Sequence, residues 1–331
     1  MTETTRAAAP PPVSTARVRL HHGREFGTLA GLFLLCMALW AATPHFLTVS
    51  NLINVVEQST LIGIIAVGMT FVIISGGIDL SVGSIVALAG VAFGTLVRAD
   101  APILLAALGA LVAGAACGTV NGVLVTAGRL PPFIATLGMM SIARGLALMI
   151  ADGRPISGFP PSIRALAMSD LLGVPMPVLL MLAVYAAAHF VLARTTLGRY
   201  TYAIGGNEEA AHLSGVNVRA FKTAVYAISG LLSAVTALLL LARLDSAQPI
   251  AGIMYELDAI AAVVIGGASL LGGAGTVMGT LIGALIMAVL RNGLNLLGVS
   301  SYVQQVAIGA VIVGAVLVDM ELKRRARAAP R

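Results

Sequence analysis

Long stretches without a charged residue dominate this chain and alternate with short polar segments. The stretches that are long enough to form a membrane-spanning helix are 26–56, 58–78, 80–97, 101–128, 171–193, 223–242, 259–290 and 292–318. An α-helix needs about 20 apolar residues to cross the hydrocarbon core of a bilayer. The pattern therefore predicts a membrane protein that crosses the bilayer many times with α-helices.

These stretches divide into about ten predicted spans. We place the spans at 27–47, 52–75, 78–97, 102–126, 131–151, 175–193, 221–242, 253–271, 274–294 and 301–318. The stretch 259–290 is too long for one helix, and glycine pairs at 266–267 and 272–273 interrupt it. We therefore divide it between two spans, one of which can be short or re-entrant. The predicted fold class is all-α, a polytopic transmembrane helix bundle.

Composition supports this prediction and excludes other classes of protein. Hydrophobic residues make up 58% of the chain and charged residues 10%, whereas soluble domains have about 45–50% and about 25%. The apolar stretches are continuous, so they do not show the alternation that is typical of a membrane β-barrel. The 37 glycines suit helices that pack closely in lipid.

The basic residues predict the orientation of the chain. With both termini inside, fourteen Lys and Arg residues lie on the cytoplasmic side and five lie outside, while Arg144 falls within a span. This bias follows the positive-inside rule. We therefore predict cytoplasmic N and C termini. Residues 1–25 form a disordered basic tail, 26–320 the membrane domain and 321–331 a second basic tail.

The sequence offers no chemistry of its own to drive transport. The only lysines, Lys222 and Lys323, do not follow glycine, so a phosphate-binding loop of the Walker type is absent. The histidines are scattered, and no metalloprotease or serine-hydrolase motif occurs. Asp79 and Asp258 fall near predicted span ends, where a charged side chain can reach water. We therefore predict no enzyme, no metal site and no bound cofactor, but a subunit that another protein powers.

One informative segment lies between the second and third spans, at residues 73–84. It reads Ile-Ile-Ser-Gly-Gly-Ile-Asp-Leu-Ser-Val-Gly-Ser. Its glycine pair permits a tight reversal, and Asp79 and Ser81 can cap the helix that follows. Asp79 is thus either an N-terminal cap near the membrane surface or a residue with a direct role in substrate passage or gating.

A second informative segment is the cytoplasmic loop at 195–217. Asn207 is a candidate helix cap, Glu208 and Glu209 suit the first turn, and Gly215 can end the helix. The segment is either a surface turn or a short helix that receives force from a soluble motor protein. The residues that we assign to this helix are Gly206, Asn207, Glu208, Glu209, Ala210, Ala211, Leu213 and Gly215.

Both segments, together with 257–267 and 292–299, resemble the ribose-type sugar permeases, which are membrane subunits of bacterial ATP-binding-cassette (ABC) importers for monosaccharides. The resemblance covers about residues 45–320. It implies a pair of identical permeases in the bacterial inner membrane, a cytoplasmic ATPase subunit that hydrolyses ATP, and a periplasmic or lipid-anchored sugar-binding protein. It also implies that 205–215 is the coupling helix, which sits in a groove of the ATPase. Nucleic acid is not an expected partner.

The resemblance further implies alternating access through a path between the two copies. Polar residues within or beside the spans are candidates to line that path or to gate it, although each can instead form hydrogen bonds between helices. These candidates are Ser75, Asp79, Ser81, Asn121, Asn292 and Asn295. Arg144 is interpreted either as a paired structural residue or as a residue in the pore.

Three other functions remain open from the sequence. A permease for another small solute, such as a branched-chain amino acid, an inositol or a furanosyl signal molecule, would share the same plan. An ion-coupled carrier would need an ionisable site at the bilayer midplane, and a membrane enzyme would need a catalytic cluster. The sequence favours a monosaccharide but does not choose among ribose, xylose and arabinose.

Overall fold

The computed structural model describes residues 15–328, and helices account for nearly all of this part of the chain. The helices are α1 (Thr15–Ala42), α2 (Val49–Ile74), α3 (Val82–Arg98), α4 (Ile103–Thr126), α5 (Pro132–Ile150), α6 (Pro161–Met168), α7 (Met176–Arg194), α8 (Thr196–Gly206), α9 (Glu208–Leu213), α10 (Val218–Leu244), α11 (Tyr255–Ile265), α12 (Val277–Leu296) and α13 (Ser301–Ala328). The predicted helical bundle is confirmed.

Six helices of the described residues are long and apolar enough to cross a membrane: α2, α4, α5, α7, α10 and α12. Shorter apolar helices lie at Phe26–Ala42, Val82–Arg98 and Ser301–Gly314. The predicted division of 259–290 is confirmed, because α11 ends at Ile265 and α12 begins at Val277. With 11 residues, α11 is about 16 Å long and cannot cross the hydrocarbon core by itself.

The two predicted tails lie partly outside the described residues. Helix α1 begins at Thr15, within the segment 1–25 that the sequence predicts to be disordered, and α13 continues to Ala328. Residues 1–14 and 329–331 are outside the described part. The division of the chain into a membrane domain and two tails therefore stays a prediction.

Helix α2 lies at the centre of the bundle and packs against α10, α11 and α12, while α4 packs against α10. Most of the apolar part of α2 is buried, whereas α4, α5 and α7 are largely exposed on the outside. Small residues bring the α4 and α10 backbones together: a side chain at Gly118 would collide with the carbonyl of Tyr226, and one at Gly122 would lie 2.5 Å from the Cα of Thr223. Close contact of this kind holds helices together in lipid.

The loop between α5 and α7 carries short elements that the sequence did not predict. Besides α6, it contains strands β1 (Ile156–Ser157), β2 (Asp170–Leu171) and β3 (Val174–Pro175). Strand β1 pairs in antiparallel fashion with β4 (Ser246–Ala247), and β2 pairs with β3. The predicted all-α class thus needs one small correction, because backbone pairing shapes this proline-rich loop.

Candidate functional site

Helix α9 is a short, firmly capped helix between α8 and α10. The Asn207 side chain accepts a hydrogen bond from the Ala210 amide at 2.9 Å. At the other end, Gly215 has a φ of +83° and its amide donates to the His212 carbonyl at 3.0 Å. The predicted caps at Asn207 and Gly215 are therefore confirmed, and the interpretation as a surface turn is wrong. The assignment of Gly206 to this helix is also wrong, because Gly206 is the last residue of α8.

One face of α9 is anchored and the other is exposed. Ala211 is buried against Ile204 and Val218, whereas Leu213 is 80% exposed. The Lys222 side chain on α10 is almost fully buried, and its ammonium pairs with the Glu208 carboxylate at 2.6 Å. These contacts fix the helix on the body of the protein and leave an apolar side chain available at its surface.

Helix α8 connects α9 to the end of α2 and to the α11–α12 connection through what we call the glycine junction: Gly76, Gly205, Gly272 and Gly273. A side chain at Gly205 would collide with the Ile74 carbonyl and lie 2.6 Å from the Gly273 amide nitrogen. A side chain at Gly272 would lie 2.9 Å from the Cα of Gly76. The Gly273 amide donates to the Ile74 carbonyl at 2.8 Å. Three backbone segments therefore meet here without side chains between them.

A second contact ties α8 to the connection between α11 and α12. The Tyr202 hydroxyl donates to the Gly275 carbonyl at 2.7 Å, and burial raises the pKa of Tyr202 to about 12. The phenol therefore stays protonated and keeps its role as donor. This arrangement was not predicted from the sequence, although the glycine pairs at 76–77, 205–206 and 272–273 were a visible signal for it.

Asp79 follows the glycine junction and lies in a buried polar network. Its Oδ1 accepts hydrogen bonds from the Ser81 amide at 3.0 Å and hydroxyl at 2.6 Å, and its Oδ2 accepts one from the Ser229 hydroxyl at 2.8 Å. The prediction that a carboxylate near a span end reaches water is wrong for Asp258 and for Asp79, because both residues are buried, Asp79 fully. Asp79 orders the turn before α3 and ties that turn to α10.

Asn121 joins the same network from α4. Its Nδ2 donates to the Ser81 hydroxyl at 2.8 Å, while its buried Oδ1 has no hydrogen-bond partner among the described residues. Ser75 is also buried, but its hydroxyl donates only to the Val72 carbonyl of its own helix. The structure thus brings together Asp79, Ser81 and Asn121, and leaves Ser75 outside their hydrogen bonds.

The other two path candidates lie at the opposite end of α2. Asn292 exchanges two side-chain hydrogen bonds, at 2.8 and 3.0 Å, with Asn51 near the start of α2. Asn295 accepts a hydrogen bond from Gln304 at 2.7 Å. Since α2 has 26 residues and is about 39 Å long, these asparagines are far from Asp79. The six candidates therefore lie near the two ends of α2, and their role in lining or gating a path stays a prediction.

Arg144 is paired with backbone oxygens. Its guanidinium donates to the carbonyls of Pro249 at 2.8 Å and Ala251 at 2.7 Å. Carbonyl partners of this kind offset the cost of placing a guanidinium within a membrane helix. Of the two interpretations of Arg144, the structural pairing is confirmed.

The chain is similar to known permease components of transport systems. The family described as "Branched-chain amino acid transport system / permease component" matches residues 51–316. The chain is 48% identical over 299 residues to the ribose import permease protein RbsC of Haemophilus influenzae, which is 89% of this chain and 93% of that protein. No solved structure matches it.

Other relatives carry the same kind of name. The ribose import permease protein RbsC of Bacillus subtilis is 47% identical over 93% of this chain and 97% of its own length. The D-allose transport system permease protein AlsC of Escherichia coli is 38% identical over 89% of this chain and 91% of its own. The matched region 51–316 contains α9, the glycine junction and the Asp79 network. The chain therefore belongs to this permease family and, within it, to the ribose-type sugar permeases of ABC importers.

Proposed function

We propose that the chain is the membrane subunit of an ABC importer that carries a monosaccharide, with ribose as the first candidate, into the bacterial cytoplasm. The observation that carries this proposal is the identity of 47–49% with ribose import permeases over at least 89% of the chain. The D-allose and L-arabinose permeases are less similar, at 38% and 37%. A branched-chain amino acid is the second candidate, because the matching family is named for it.

We further propose ten membrane segments with both termini in the cytoplasm. The six long helices, the three shorter apolar helices and the half-length α11 correspond one by one to the ten segments predicted from the sequence. In this arrangement α11 enters the bilayer from outside and ends within the bundle, where its partly buried connection to α12 packs against the backbone of α8 and of the α2–α3 turn. Non-helical backbone at membrane depth is tolerated where protein surrounds it.

The proposed partners are a second copy of this chain, a cytoplasmic ABC ATPase and an extracytoplasmic sugar-binding protein. Helix α9 is the proposed coupling helix, since it is rigidly capped, anchored by Ala211 and exposed at Leu213. An open cleft of about 970 Å³ lies between α9 and the turn at Arg129 that joins α4 to α5. An element of the ATPase can therefore approach α9 from this side. ATP is bound and hydrolysed by the partner.

The decisive test of the proposed function is uptake by the reconstituted complex. Proteoliposomes that contain the permease, its ATPase and its binding protein should accumulate labelled D-ribose only when ATP is supplied. An ATPase variant that binds but does not hydrolyse ATP is the matched control and should show no uptake. Accumulation of leucine instead of sugar would select the second candidate. Uptake that an ion gradient drives without the ATPase would contradict the ABC assignment.

Removal of the Asn207 cap should weaken coupling without disturbing the membrane bundle. A lost N-cap costs about 1 kcal/mol, and a six-residue helix has little other stability of its own. We expect Asn207→Ala to lower the binding-protein-stimulated ATPase rate several-fold. Asn217→Ala is the matched control, because it removes the cap that accepts from the Ala220 amide at the start of the long helix α10. Equal rates in the two variants would contradict a coupling role for α9.

A further inference from the structure

A polar cleft opens between the first turns of α11, the last turns of α12 and the start of α13. Its volume is about 420 Å³, within the range of about 300–1,000 Å³ that is usual for small-molecule sites. Half of its lining is polar or charged: Asp258, Arg291, Asn295, Ser301, Gln304 and Gln305. Apolar side chains, including Leu257 and Ile308, line the rest. In the proposed topology this cleft faces the outside of the cell.

The polar groups of the cleft are held in place by contacts with one another. The Arg291 guanidinium donates to the buried Asp258 carboxylate at 2.8 Å. The Gln304 amide donates to the Asn295 side chain at 2.7 Å and to the Val299 carbonyl at 2.8 Å. Preorganised groups of this kind lose little freedom when a ligand binds. Ser301 and Gln305 are exposed and add a hydroxyl and an amide to the same wall.

The chemistry of this cleft suits a neutral polyhydroxylated ligand. Arg291 offers N–H donors, Gln305 offers both a donor and an acceptor, and Ser301 can act as either. Since Asp258 neutralises Arg291, the cleft presents hydrogen-bonding groups without an uncompensated charge. A lipid acyl chain would leave these groups without partners, which is costly in a low-dielectric environment. A sugar would satisfy them.

The floor of the cleft includes a strained residue. Met254 has a φ of +71°, a conformation that side-chain-bearing residues rarely adopt. It immediately precedes α11, and its carbonyl accepts hydrogen bonds from the Leu257 and Asp258 amides. Strain of this type persists where the surroundings impose it and is concentrated at ligand sites and switch regions.

The cleft lies on the two helices whose other ends meet the glycine junction. Helix α11 leads from Met254 to Ile265, and α12 leads back from Val277 to the cleft. The connection between them is the segment that Gly205 and Tyr202 contact from α8. A shift of this helix pair would therefore alter the outer cleft and the attachment of α9 together.

We propose that this cleft is an entry subsite of the permease for a monosaccharide, occupied briefly when the binding protein releases its sugar. This inference rests on the proposed function and says where on the permease the imported sugar first binds. Because the site is open and lined by only a few free polar groups, its affinity is low and sugar moves on into the path.

The test uses the complete complex in proteoliposomes with ATP and labelled D-ribose. We expect the double variant Ser301→Ala, Gln305→Leu to transport about ten-fold less sugar per ATP hydrolysed, since it loses two hydrogen-bonding side chains. Its binding-protein-stimulated ATPase rate should stay normal, because α9 is untouched. Tyr302→Leu is the matched control: it changes the same turn of α13 at a side chain that is 85% exposed and does not line the cleft.

Two results would overturn the subsite. One is an equal ratio of sugar to ATP in the double variant and in Tyr302→Leu. The other is a phospholipid that native mass spectrometry finds bound to the unaltered complex and absent from the double variant. Failure of the proposed function is seen separately, since the unaltered complex would then import no ribose.

Discussion

Replacement of Gly205 by alanine is expected to abolish sugar uptake, although it adds only one methyl group. That methyl would collide with the Ile74 carbonyl, which already accepts the hydrogen bond from the Gly273 amide. Backbone cannot move aside as a flexible side chain can, so the overpacking costs about 1–3 kcal/mol or more. We expect α8 to be displaced and the uptake rate of the reconstituted complex to fall at least ten-fold.

Gly206 provides the control for this experiment within the same helix. Gly206 directly follows Gly205 and forms a glycine pair with it, but a side chain at Gly206 would meet nothing within 4 Å. Gly206→Ala should therefore transport at the normal rate. If the two variants transported equally, the tight contact at Gly205 would have no part in transport. A co-purification assay with the ATPase would show whether Gly205→Ala also loses its partner.

The second large effect is expected at Asp79. Asp79→Leu leaves the Ser81 amide, the Ser81 hydroxyl and the Ser229 hydroxyl without their acceptor in a buried site. Each stranded donor costs about 1–3 kcal/mol, so we expect a clear loss of thermal stability in detergent together with loss of uptake. Cys117 lies near this network. The temperature at which its thiol becomes accessible to a labelling reagent measures the loss of stability.

Asp79→Asn separates a structural role from a role in gating. The amide oxygen can still accept from Ser81, and the amide nitrogen can donate to the Ser229 hydroxyl. We expect this variant to keep most of the stability and most of the uptake, because the network needs the shape and the acceptor more than the charge. A stable Asp79→Asn protein that transports no sugar would instead show that the carboxylate itself acts in gating.

Local features of the fold were predictable from the sequence. The Asn207 cap and the Gly215 end depend on residues within one short segment, and both are found where the pattern placed them. The interruption of 259–290 was predictable for the same reason, since glycine pairs break the apolar run. Capping and helix breaking are local events, so a single sequence reveals them.

Features that join distant segments were not predictable. The sequence placed Asp79 near a membrane surface. It did not reveal that Ser229, which is 150 positions away, donates a hydrogen bond to the Asp79 carboxylate in the interior. The pairing of Asn51 with Asn292 spans 241 positions. No periodicity in a single sequence reports such contacts, so the division of the polar candidates between the two ends of α2 was not predictable. The glycine junction likewise requires three segments to meet, and only the structure shows that they do.

The short length of α11 has a consequence for how the protein is made. A helix of 11 residues carries too little apolar surface to enter the bilayer as a separate segment during synthesis. We therefore expect α11 to enter the bilayer together with α12, as a hairpin. The ion pair between Arg291 and Asp258 joins the two helices of this hairpin. In that case α11 and α12 acquire their orientation in one step rather than helix by helix.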